Sequence, residues 1–231
     1  TRYEFVTGVQ TCALPISLWQ FTVSATDANR HAIRYARLIT GRPKIIVIDR
    51  CYHGSVDESF ATLDKNGKTV AREGNIGAPV DLATTTKVVP FNDLSAMELA
   101  LKKKDVAAIL MEPAMTNVGI VLPEAGYLVA VEQMAKKYNT LLIIDETHTI
   151  SMGPGGMTAQ LGLSPDFLTI GKAIGGGFPT GAYGMQKDVA EQIKQKVELE
   201  VIDTGGVGGT LAANALSLAA TSAWGSMSTP A

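Results

Sequence analysis

From Trp19 onward, short apolar runs alternate with longer stretches in which apolar residues recur every three or four positions. The short runs read as strands buried on both faces, and the periodic stretches as helices with one buried face. Residues 19–23 predict a strand, and the polar turn 24–29 leads into a helix through about Thr40, packed by Ile33, Tyr35, Ala36 and Leu38. Residues 44–49 predict a buried strand, 63–83 a polar, glycine-rich surface excursion, and 87–90 another strand before a helix over 93–104. Residues 106–112 form an apolar run ending in an acid, and 124–138 a helix with Leu128, Val131, Met134 and Ala135 on one face. Strands at 141–145, 167–170 and 181–185 and a helix near 188–198 complete the pattern. Such alternation predicts an α/β fold with a mostly parallel sheet flanked by helices.

Composition narrows the function classes. Apolar residues make up 46% of the 231 positions and charged ones 18%, enough for a sizeable core. A net charge of −2 gives no reason to expect nucleic acid or an anionic membrane as partner. No apolar run reaches the roughly 18–20 residues that span a bilayer. Two cysteines, Cys12 and Cys51, make no disulfide framework, and no secretory leader pattern precedes residue 17, so a cytoplasmic location is expected. Residues 6–16 resemble the in-frame translation of a sequencing adapter; residues 1–16 are therefore read as an artefact and set apart from the domain at 17–231.

Several strand ends carry chemistry. The run 141–145 ends in Asp145, followed by Glu146, and the run 167–170 is followed by Lys172 and three glycines at 175–177. An amine and a carboxylate on neighbouring strand ends can grip opposite sides of one flat cofactor, the pair that pyridoxal phosphate requires. Burial among apolar strand ends would favour the neutral amine of Lys172. Glu146 is read as either pocket wall or catalytic group. Ser24, Ala25 and Thr26 stand where a helix begins, and are either an anion-binding turn or an ordinary cap. Tyr52 and His53 follow another strand end, where a flat ring can stack on a ligand. The stretch 205–210, with Thr210, is either a second phosphate loop or a flexible link. His31, His53 and His148 lack ligand spacing, and no metal is proposed; GxGxxG and Walker-type fingerprints are absent.

Taken together, Cys-Tyr-His-Gly at 51–54, Met-Glu-Pro at 111–113, Ile-Asp-Glu at 144–146 and Ile-Gly-Lys-Ala-Ile-Gly-Gly-Gly at 170–177 resemble the class III aminotransferases of fold type I. That family includes the glutamate-1-semialdehyde aminomutase-like branch. The resemblance implies pyridoxal 5'-phosphate as cofactor, with Lys172 as the Schiff-base lysine and Asp145 as partner of the ring nitrogen. It implies that Ser24, Ala25 and Thr26 bind the phosphate, that Tyr52 stacks on the ring, and that His53, Glu112, Thr147 and His148 surround it. Thr210 would reach the phosphate of a neighbouring subunit, implying a homodimer. The expected activity is transfer of an amino group between an amino acid and a keto acid, with aminomutase or racemase chemistry and an inactive binding homologue as alternatives. The chain corresponds to the large domain of such enzymes, incomplete at both ends and largely without the small domain, so the piece alone is expected to be a poor catalyst. Ala25 and Asp27 depart mildly from the family's Gly and Glu. More telling, Asp145-Glu146-Thr147-His148 stands where Asp-Glu-Val-Gln is common, placing a histidine near the cofactor oxygen; this variant resembles the branch acting on β-amino or aromatic amino acids.

Overall fold

The computed structural model describes residues 16, 18–78, 80–196 and 206–228. Strand β1 (Leu18–Thr22) leads into helix α1 (Ala25–Thr40), and β2 (Lys44–Ile48) follows. Then come the short strands β3 (Ala61–Leu63) and β4 (Thr69–Ala71), β5 (Thr86–Val89), α2 (Leu94–Leu101) and β6 (Val106–Met111). Next are α3 (Tyr127–Lys137), β7 (Leu141–Asp145), α4 (Gly156–Gln160) and β8 (Phe167–Ile170). Strand β9 (Gly181–Met185) and helices α5 (Lys187–Lys196) and α6 (Ala215–Ser228) end the described part.

Among the described residues, seven strands form one sheet in the order β1-β9-β8-β7-β6-β2-β5. All neighbouring pairs from β5 to β8 are parallel, whereas β9 pairs antiparallel with both β8 and β1. Strand β9 thus runs against the other six. Strand direction leaves no trace in an apolar run, so the reversal is not visible in the sequence. Consecutive residues of β8 face opposite ways. Phe167 joins the main core beneath α1 and α5, while Leu168 and Ile170 join a second cluster with Trp19, Ile150, Ile174 and Trp224. Both faces are therefore covered, which is why β6 to β9 contain few polar residues.

The polar excursion at 63–83 holds a feature the sequence reading passed over. Strands β3 and β4 form a small antiparallel hairpin. Its turn is organised by Asp64, whose Oδ1 accepts from the backbone N–H groups of Asn66 (2.8 Å) and Lys68 (2.9 Å). Three-residue strands are too short to show period-2 alternation.

Candidate active site

Six strands present their carboxyl ends on one edge of the sheet, and the reversed β9 presents its amino end there. The loops on this edge enclose a cavity of about 390 Å³. It is lined by Ser24, Ala25, Thr26, Tyr52, His53, Glu112, Asp145, Thr147, His148 and Lys172, every predicted site residue except Thr210. Thr210 is exposed in a turn ahead of α6 and does not line this cavity. Phe178, Pro179 and Thr180 complete one wall; no motif in the sequence marked them.

Asp145 is 4% exposed at the end of β7. Its Oδ2 accepts from His53 Nδ1 (2.8 Å) and Asn29 Nδ2 (2.9 Å), and its Oδ1 from Thr147 N–H (3.0 Å). A carboxylate offers about four lone-pair positions, so one remains for a ligand in the cavity. Burial opposes the charge on Asp145, but His53 and these hydrogen bonds outweigh it and hold the carboxyl down at about 2. For His53, burial disfavours the imidazolium, while the Cys51 sulfur and Asp145 favour it, and its pKa is raised. The pair is a buried ion pair fixed by its surroundings.

Asn29 was missed by sequence reasoning. It sits one turn into α1, donates to Asp145 and to His53 O (3.2 Å), and accepts from Thr169 Oγ1 (2.7 Å). One amide ties the first helix to β7, β8 and the loop after β2. The only available signal was a polar residue on the apolar face of a helix, where a bare amide would be costly.

The turn before α1 is built from both directions. Ser24 caps the helix, its Oγ accepting from Asp27 N–H at 3.2 Å, and Ser24 O accepts from Ala28 N–H at 3.1 Å. The N–H groups of Ala25 and Thr26 have no intrahelical partner at such an end and, with the helix dipole, favour an anion. Three glycines from other segments press on this turn. A Cβ on Gly54 would lie 2.0 Å from Thr26 Oγ1, one on Gly171 2.8 Å from Ala25 Cβ, and one on Gly181 2.4 Å from the Ser24 carbonyl carbon.

Lys172 was expected among desolvating strand ends; instead it is exposed to the cavity, with a left-handed backbone at φ 44°. The strand stops at Ile170, and the glycines that follow carry no side chains to cover the amine. Glu146, fully buried, does not line the cavity. Its carboxylate accepts from Thr149 Oγ1 (2.5 Å), Thr158 N–H (2.5 Å) and Thr158 Oγ1, fastening the loop after β7 to α4. It is a buried fastening behind the cavity and is not part of the cavity's lining. Tyr52 is 41% exposed, leaving its ring available to a ligand.

The profile of the family described as aminotransferase class-III matches residues 9–224. The chain belongs to the class III aminotransferases. It is 36% identical over 222 residues to a glutamate-1-semialdehyde 2,1-aminomutase of Sulfurihydrogenibium azorense, covering 94% of this chain and 50% of that protein. A crystal structure of a glutamate-1-semialdehyde aminomutase from Pseudomonas aeruginosa PAO1 superposes with a TM-score of 0.88 at 46% identity, covering 93% of this chain and 48% of that one. A variant of that enzyme was solved in complex with PMP. An omega-transaminase from Sphaerobacter thermophilus matches with a TM-score of 0.82 at 30% identity, over 99% of this chain and 55% of that one. The chain thus spans about half the length of these relatives, and its sheet is that of the fold-type I enzymes. The cofactor of this family is pyridoxal 5'-phosphate. The cavity suits it: a free lone pair on Asp145, the donors at the start of α1, and the buried hydroxyls Thr147 Oγ1 and Thr180 Oγ1, which have no partner among the described residues.

Proposed function

We propose that the enzyme to which this chain belongs moves an amino group within one substrate, as an aminomutase of the glutamate-1-semialdehyde type. The observation that carries this reading is the 46% identity to an aminomutase across 93% of the chain, against 30% for the omega-transaminase. When bound, pyridoxal 5'-phosphate supplies an aldehyde that captures amines and a ring that withdraws electrons from the substrate carbon. Lys172 would be the amine that holds the aldehyde, and its Nζ would take and return the migrating proton. Asp145, ionised by its pairing with His53, keeps a proton on the ring nitrogen. Ser24, Ala25 and Thr26 would hold the phosphate, and Tyr52 and Thr147 would contact the ring. Glu112 and His148 border the same cavity. Thr210, exposed, is available to the phosphate of a second copy in a homodimer.

A transaminase is the second reading, favoured by the omega-transaminase likeness and by Thr147-His148 after the acidic pair. The full-length enzyme given glutamate 1-semialdehyde and no keto acid decides between them. An NMR record of the amino group moving from carbon 2 to carbon 1 is the expected result; turnover that waits for an added keto acid would establish the transaminase instead. Borohydride reduction with peptide mapping should place the cofactor label on Lys172. Lys172→Ala should lose that label and at least about a thousandfold in rate while keeping its fold, because the side chain is exposed.

A further inference from the structure

Tyr52 lines the cavity from the loop after β2, with its side chain well exposed. A ring on a loop turns freely about its side-chain torsions, so one that is to meet a flat ligand must be held ready by the protein. The β3–β4 hairpin does this. Phe60, the residue before β3, meets Tyr52 edge to face, with ring centroids 6.4 Å apart and planes at 85°. That is an arrangement favoured by the ring quadrupoles.

Arg72 joins both partners. It follows β4, opposite Phe60 at the open end of the hairpin, and its backbone N–H donates to Phe60 O at 2.7 Å. Its guanidinium carbon lies 5.9 Å from the centre of the Phe60 ring. Nη2 donates to Ser59 O at 3.2 Å and to Cys51 O at 2.7 Å. The second acceptor is the carbonyl of the peptide bond that leads into Tyr52. Two further bonds dock the hairpin just after β2, where Asp49 Oδ1 accepts from Thr62 Oγ1 at 2.6 Å and from Leu63 N–H at 3.3 Å. A hairpin this small is marginal alone, and these bonds fix it beside the cavity. One arginine therefore holds both the backbone of Tyr52 and the ring that Tyr52 packs on, a task suited to a rigid fork of several donors.

We propose that Phe60 and Arg72 are positioning residues, which set the orientation of the Tyr52 ring and through it the fit of a flat ligand in the cavity. Neither lines the cavity, so both act through Tyr52. The ligand class, a phosphorylated pyridine ring, rests on the cofactor reading above.

Calorimetric titration of the full-length apoenzyme with 4'-deoxypyridoxine 5'-phosphate, an analogue that cannot condense with Lys172, tests this. Phe60→Leu and Arg72→Met should each weaken binding by about three- to tenfold. Tyr52→Leu removes the ring through which they act, and in that background each substitution should change affinity by less than about twofold. Phe60→Tyr, which keeps the aromatic partner, should bind within about twofold of the wild type. Arg72 lies outside both core clusters, so Arg72→Met carries the test alone should Phe60→Leu fail to fold. Losses of the same size with and without the Tyr52 ring overturn the proposal, because a merely structural role would not depend on that ring. Unchanged affinity in Phe60→Leu and Arg72→Met also overturns it, with the cofactor reading left in place. No binding by the wild type overturns both.

Discussion

Asp145 shows how one residue can be legible while its support is not. An acid ending an apolar strand stands out in the sequence, but its setting comes from Asn29 and His53, 116 and 92 positions away. Long-range pairing of this kind leaves no local signature. Asp145→Asn should strand a buried imidazolium without its counter-charge and cost about 3 kcal/mol. The pH dependence follows from the shifts. The depressed Asp145 contributes stability above its ordinary 3.8, lost as pH falls toward about 2. The raised His53 contributes fully below its ordinary 6.5, and that share fades as pH rises through its folded value of about 10. Denaturant titration should therefore show the largest gap between wild type and Asp145→Asn from about pH 4 to 6.5, narrowing on either side.

At the scale of elements, the decisive object is the start of α1. Its cap residues were readable, and so was the ambiguity between a plain helix cap and an anion site. What resolves the ambiguity is the arrival of Gly54, Gly171 and Gly181 from three other segments, which no periodicity displays. Ser24→Ala should cost about 1 kcal/mol through the lost cap and weaken phosphate binding at the same time. Gly181→Ala tests the packing alone. With the new Cβ driven against the Ser24 carbonyl, about 2 kcal/mol of stability should be lost, along with a tenfold or greater drop in cofactor affinity measured by absorbance titration. A stable variant with unchanged affinity would show that the turn tolerates displacement.

At the scale of the molecule, most strand positions were legible because each is a short, near-continuous apolar run. The order and direction of those strands were not, because they depend on pairing across the sheet. The sheet has two unequal edges. Ligand chemistry gathers at one, whereas Asp166 sits at the other, just before β8, accepting from Leu142 N–H at 2.7 Å. Burial raises its carboxyl to about 6. The neutral acid is the stabilising form, so its contribution is complete below the ordinary 3.8 and is lost as pH rises through 6. Asp166→Asn should therefore be more stable than wild type near pH 8 by on the order of 2 kcal/mol, with the advantage closing toward pH 4. Thermal unfolding across that range checks it. Cofactor affinity should stay the same, since distant sites act independently.

The reversed strand also sets an order of assembly. Among the described residues β1 pairs with no strand except β9, and those partners are far apart in the sequence. During synthesis, the turn at 24–26 emerges well before the backbone that backs it, from Gly171 to Met185. Contacts of such long sequence separation are slow to close. The anion-binding turn is thus made well before the backbone that completes it, so a nascent chain stopped before Gly181 would hold the start of α1 without the close packing of Gly181 against Ser24.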